Sequence, residues 1–153
     1  MVQNRFSRLL ALMQAAQLDA VALNPGNSLK YITGLDFHLM ERPVVLIITA
    51  DGQSAMVLPQ LEASRAEKCA LNMHLFPFAD NPTHWQQSFF EAVHHLRFSE
   101  KKIGVEASRF RFLELNFLQT AATHSQIVAA DDVFNNLRIL KTTQEIQAMQ
   151  QAA

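Results

Sequence analysis

The chain has one cysteine, Cys69, so no disulfide can form within it. That suits a reducing compartment, and a cytoplasmic protein is the expectation. Glycine is scarce as well. Gly26, Gly34, Gly52 and Gly104 stand apart from one another, so neither a Walker loop nor a dinucleotide fingerprint can be assembled from them. No apolar run reaches the roughly 18 residues of a membrane-spanning helix, and no membrane partner is expected. Residues 9–13 are too short and too interrupted for a signal peptide. An excess of positive charge is also missing. Lys and Arg number 13 against 14 Asp and Glu, a net charge of -1. Phosphate contacts need clustered cations, so nucleic acid is not an expected partner.

What is present describes a globular domain. Hydrophobic residues make up 49% of the 153 residues and charged residues 18%, a balance that excludes disorder. A chain of this length can bury about 68–70% of the surface its unfolded form exposes, so it can fold without staples. Residues 6, 9, 10, 13 and 16 carry an apolar helical stripe. Residues 19–23 (DAVAL) read as a strand running into the turn chemistry of Asn24, Pro25 and Gly26. Residues 29–34 (LKYITG) carry Tyr, Ile and Thr, which predict a short strand or extended segment. Residues 44–50 (VVLIITA) predict a central strand, and Asp51-Gly52 a hairpin returning through residues 54–58.

Alternation follows. Residues 60–70 read as helix, and 73–78 as a strand that Pro77 places at an end or an edge. Asn81-Pro82 starts a helix whose buried face carries Trp85, Phe89, Val93 and Leu96. Residues 102–106 and 126–130 are strands. Between them Ser108 is expected to cap a helix with Phe110, Leu113, Phe117 and Ala121 on one side. Thr142 and Glu145 have capping-box spacing for a last helix bearing Ile146, Met149 and Ala153. Nothing in the sequence closes that helix, so the chain reads as a domain excised from a longer one. The pattern implies an α/β fold: three layers around a mixed sheet.

Signatures of chemistry are few. Six histidines include no H-E-x-x-H, and no C-x-x-C exists. His94 and His95 are adjacent, about 100° apart on a helix, and are poorly placed to share an ion. Neither a catalytic residue nor a metal ligand is therefore assigned within this chain. Arg109 and Arg111 read as solvated helix surface. Residues 35–43 (LDFHLMERP) differ, since they place His38, Glu41 and Arg42 in a loop directly before a core strand. Arg can fork onto a carboxylate, and His can exchange protons near neutral pH. Against this stands a bland alternative, in which Arg42 pairs with Glu41 or another local acid.

Several segments together resemble the creatinase/prolidase N-terminal domain of Xaa-Pro metallopeptidases. They are residues 5–13, Leu18-Asp19-Ala20, Asn27, Tyr31-Ile32-Thr33-Gly34, residues 102–106, and Leu137-Arg138 with Lys141, Glu145 and Ile146. The resemblance implies a ribonuclease-H-like α/β fold over residues 1–136. Residues 137–153 would then be a linker and the first helix of a C-terminal pita-bread catalytic domain. A dinuclear divalent metal site (Mn, Co or Zn) is implied in that second domain and none in this chain. The implied partners are this chain's own C-terminal catalytic domain, a second copy in a homodimer, and a peptide substrate. Tyr31, His38, Glu41 and Arg42 become substrate-proximal by resemblance and loop position. A catalytically inactive peptidase-like binding protein and a creatinase-like C–N hydrolase remain alternatives.

Overall fold

The computed structural model describes residues 2–97, 100–139, 141 and 143–152. Helix α1 (Val2–Ala15) leads into strand β1 (Ala20–Leu23), helix α2 (Asn27–Thr33) and the hairpin β2 (Val45–Thr49) and β3 (Ser54–Pro59). After a one-turn helix α3 (Ala63–Ala66) come β4 (His74–Phe78), α4 (Trp85–His95), β5 (Lys102–Val105), α5 (Phe112–Ala121) and β6 (Gln126–Ala129). Helices α6 (Asp131–Ile139) and α7 (Thr143–Ala152) follow.

The six strands form one mixed sheet in the order β4-β3-β2-β1-β5-β6. Strand β2 is antiparallel to both neighbours, and every other pairing is parallel. The period of two sorts the side chains into two cores. Val21, Leu23, Leu46, Ile48, Met56 and Leu58 face α1, α2 and α6, where Leu9, Met13, Ile32 and Phe134 are buried. Ala20, Ala22, Val45, Ile47, Ala55 and Val57 face α4 and α5. On that second face, small alanines of β1 meet large aromatics, and Phe89 and Phe117 stack with ring centroids 5.2 Å apart. The structure is thus the three-layer mixed-sheet α/β fold that the sequence implies. Pro77 lies on the edge strand β4, and the side chain of Asn81 caps the turn before α4 by accepting the Thr83 N–H.

Four expectations need correction or bounds. Residues 29–34 are not a strand. They belong to α2, because Ser28, Leu29, Ile32 and Thr33 bury one helical face and Gly34, at φ 79°, ends the helix in the left-handed region. Residues 60–70 hold only a 3-10 turn (Gln60–Glu62) and the one-turn α3. Ser108 does not cap α5. Its N–H is donated to Asp131, the helix starts at Phe112, and its fully buried residues are Glu114 and Leu118 rather than Leu113. Thr142, the side chain of Glu145 and Ala153 lie outside the described residues, while Ile146 and Met149 are exposed on α7.

Candidate functional site at the carboxyl edge of the sheet

Because β2 runs against β1, the 35–43 loop that feeds β2 lies over the carboxyl ends of β1, β3, β4 and β5. The loop begins where Gly34 closes α2. There the Thr33 hydroxyl donates to the Leu29 carbonyl and accepts the Leu35 N–H. Leu35, Phe37 and Pro43 are buried, whereas Asp36, His38, Leu39, Met40 and Glu41 are exposed. Apolar anchors therefore fix the loop, and its polar side chains turn outward.

Three cations hold this loop. Lys30 Nζ lies 2.6 Å from Asp36 Oδ2, and this bond draws the Asp36 carboxyl below its ordinary range. Arg65 donates to the Asp36 carbonyl oxygen at 2.7 Å, with its guanidinium 5.2 Å from the Phe37 ring centroid. Arg111 donates to the Met40 carbonyl oxygen at 2.6 Å. Arg111 is itself oriented by the fully buried Glu114, whose two carboxylate oxygens accept its Nε–H at 3.1 and 3.0 Å. That contact brings Met40 beside the start of α5, where Phe112 is 80% exposed.

Of the residues singled out from the sequence, His38 and Glu41 project from the loop with Arg42 alongside them. Arg42 does not pair with its neighbour Glu41 but with Asp80, at 3.0 Å, beyond the end of β4. Tyr31 stands apart from this group. It sits on α2 against α1, with the Arg5 guanidinium 4.1 Å above its ring and bonded to its carbonyl oxygen. Arg65, Arg111 and Glu114 were not legible as loop supports. The one available signal was the three-residue spacing of Arg111 and Glu114 on a helix. Cys69 is half-buried and its thiol donates to the Thr33 carbonyl oxygen, a packing role.

The same edge carries a second polar group. Glu106, just past β5, accepts from the Ser28 hydroxyl at 3.0 Å and from Arg138 at 2.9 Å. This joins α6 to β5 and α2. Asp131, at the start of α6, accepts the N–H groups of Ala107 and Ser108, and hydrogen bonding from the Ser108 side chain, then from these backbone groups, lowers its pKa. Among the described residues no three His, Cys, Asp or Glu side chains converge, so a dinuclear metal centre does not fit within them. No described helix is long and apolar enough to cross a membrane.

Comparison with known proteins agrees with this architecture. Residues 5–140 match the creatinase/prolidase N-terminal domain. The dipeptidase-like protein YkvY of Bacillus subtilis (strain 168) is 25% identical over 150 residues, spanning 98% of this chain and 41% of its own length. The chain therefore covers about two-fifths of that relative. The crystal structure of dipeptidase PepE from Mycobacterium ulcerans superposes with a TM-score of 0.80 at 24% identity, over 96% of this chain and 39% of that one. The creatinase/prolidase N-terminal domain of an X-Pro dipeptidase from Streptococcus pyogenes gives 0.75 at 17% identity, over 87% and 98% of the two chains. At these identities the structures attest the fold. With the match running through nearly every element from α1 to α6, the chain belongs to the creatinase/prolidase N-terminal domain family.

Proposed function

We infer that this chain is the non-catalytic N-terminal domain of a metal-dependent Xaa-Pro peptidase. Residues 1–136 form the domain, and residues 137–153 lead into a C-terminal catalytic domain. The observation that carries this reading is the family match over residues 5–140, joined to a loop held outward by three cations. The dinuclear divalent metal (Mn, Co or Zn) belongs to the second domain, since the side chains described here offer no centre for it. This chain contributes substrate selection and dimerisation. His38, Glu41 and Arg42 of the loop, with Tyr31, are its substrate-proximal residues. Exposed Leu39, Met40 and Phe112 on the same edge support an interface with another domain or a second copy. A cytoplasmic location accords with the single cysteine.

The test uses the full-length protein with a panel of dipeptides. Hydrolysis of Xaa-Pro peptides that stops on chelation and returns with Mn, Co or Zn supports the reading. Dipeptide binding that survives chelation without any turnover would replace it with a catalytically inactive binding protein. Release of urea from creatine would replace it with a creatinase-like C–N hydrolase. Light scattering of the same sample decides dimer against monomer.

A further inference from the structure

Strands β1 and β5 lie side by side and run parallel, yet the chain leaves them in opposite directions. From β1 it passes through α2, on the α1 face, to β2 on one side. From β5 it passes through α5, on the α4 face, to β6 on the other. In open α/β sheets such a divergence marks the place where ligands bind, outside the carboxyl ends of the two strands.

Two side chains here are left unsatisfied. Asn24, directly after β1, is 5% exposed, and neither its amide nitrogen nor its amide oxygen bonds to any described residue. A buried amide without partners is uncommon and calls for an unseen one. Arg109, in the turn after β5, is exposed and lies across Gly26, where an added Cβ would stand 3.4 Å from its Cδ and its Nη1. No described residue accepts a hydrogen bond from its side chain or pairs with it. The other arginines of this edge are all engaged: Arg42 by Asp80, Arg65 by the Asp36 carbonyl, Arg111 by Glu114 and Arg138 by Glu106. The nearby carboxylates are engaged too, Glu106 by Ser28 and Arg138, and Asp131 by two backbone N–H groups. What remains is one guanidinium and one amide flanking a single turn.

We propose that this turn binds a carboxylate, held between the Arg109 guanidinium and the Asn24 side-chain N–H. A guanidinium fork matches the two oxygens of a carboxylate, and the amide donates a further bond that satisfies its buried nitrogen. Gly26 supplies the space, since any side chain there would press on Arg109. Among the described residues none holds the Arg109 side chain down, so the guanidinium can lift and admit the anion to Asn24. The carboxylate belongs either to a small free acid or to the C-terminus of a peptide. This site stands apart from the substrate reading of the 35–43 loop, and either can fail alone.

The test is an acetate titration of the 15N-labelled 153-residue chain at constant ionic strength. The readouts are the Asn24 side-chain amide and the Arg109 Nε–H resonances. Acetate shifts both saturably, and neutral acetamide does not. Arg109→Gln, an exposed change that leaves the fold intact, weakens binding about tenfold or more. Asn24→Leu weakens it as well. Acetyl-dialanine binding more tightly than acetate, with its C-terminal amide silent, identifies the peptide terminus; equal affinity identifies the free acid. Absence of a saturable shift, an equal shift with chloride, or an unchanged response in Arg109→Gln overturns the proposal.

Discussion

Arg111 donates a hydrogen bond to the backbone carbonyl of Met40, 71 positions earlier in the chain, while its Nε–H rests on the buried carboxylate of Glu114. The loop before β2 and the helix after β5 are thereby joined through one side chain. Arg111→Ala leaves the Glu114 charge buried and unpaired and removes the tether on Met40. A loss of about 3 kcal/mol in urea denaturation is expected. Pairing Arg111→Met with Glu114→Leu restores most of that stability but not the tether. Amide exchange of the 35–43 loop therefore stays fast in the double variant. Slow exchange there would show that Leu35 and Phe37 alone hold the loop.

Arg42 and Asp80 form a different kind of pair. Their side chains are 40% and 74% exposed, so solvent screens the attraction and the pair contributes under about 1 kcal/mol. Arg42→Ala should barely move the thermal midpoint of the isolated chain. If the full-length protein is the Xaa-Pro peptidase proposed above, the same change raises its KM for an Xaa-Pro dipeptide about tenfold through loss of a charge-assisted bond. If KM and kcat both hold, Arg42 serves only Asp80 and the substrate role of the loop falls.

The two arginines show where sequence reading reaches its limit. The 44–50 run, the Asp51-Gly52 hairpin and the Asn81 cap were legible because each depends on neighbours a few positions away. So was the loop, bounded by Gly34 and Pro43. Helix α2 was missed because Tyr31, Ile32 and Thr33 favour strands on their own. Burial of Leu29 and Ile32 under α1 and α6 outweighs that preference. The supports of the loop were barely legible. Only its three-residue spacing to Glu114 distinguishes Arg111, which reaches Met40, from Arg109, which does not, and that spacing does not point to Met40. Nor does composition distinguish the buried Glu114 from an exposed helix glutamate.

His95 at the end of α4 touches His74 of the edge strand, with ring centroids 4.0 Å apart, and also lies against Phe76. Partial desolvation of its otherwise exposed ring, then the His74 and His94 charges, holds its pKa below the ordinary value. Glu91, one turn earlier, accepts a bond from Gln87. A base with a depressed folded pKa contributes stability above its unfolded pKa of about 6.5, and that stability is lost as pH falls from there through the folded value. Denaturation midpoints should therefore drop from pH ~7.5 to pH ~5.5. His74→Phe should flatten the drop and raise the NMR titration midpoint of His95. An unchanged His95 midpoint in that variant would mean that desolvation alone sets it.

Gly104 in β5 tests the packing beneath the carboxyl edge. It pairs with Val21 on one side and Val128 on the other, so its neighbours are fixed by two ladders. A Cβ at this position would stand 2.7 Å from Ala130 Cβ and 2.7 Å from Leu18 Cδ1. Leu18 could adjust by a small rotation, but Ala130 carries its Cβ directly on the backbone at the start of α6. Relief therefore requires β5 or α6 to move. Gly104→Ala should cost about 1–3 kcal/mol, the usual range for overpacking a filled core. Adding Ala130→Gly removes the harder of the two contacts. The double variant should then recover much of the loss, because Ala130 lies just before α6, where a glycine is tolerated at least as well as alanine. The check is a double-mutant cycle by chemical denaturation. A coupling near zero would place the strain on Leu18 instead of on α6.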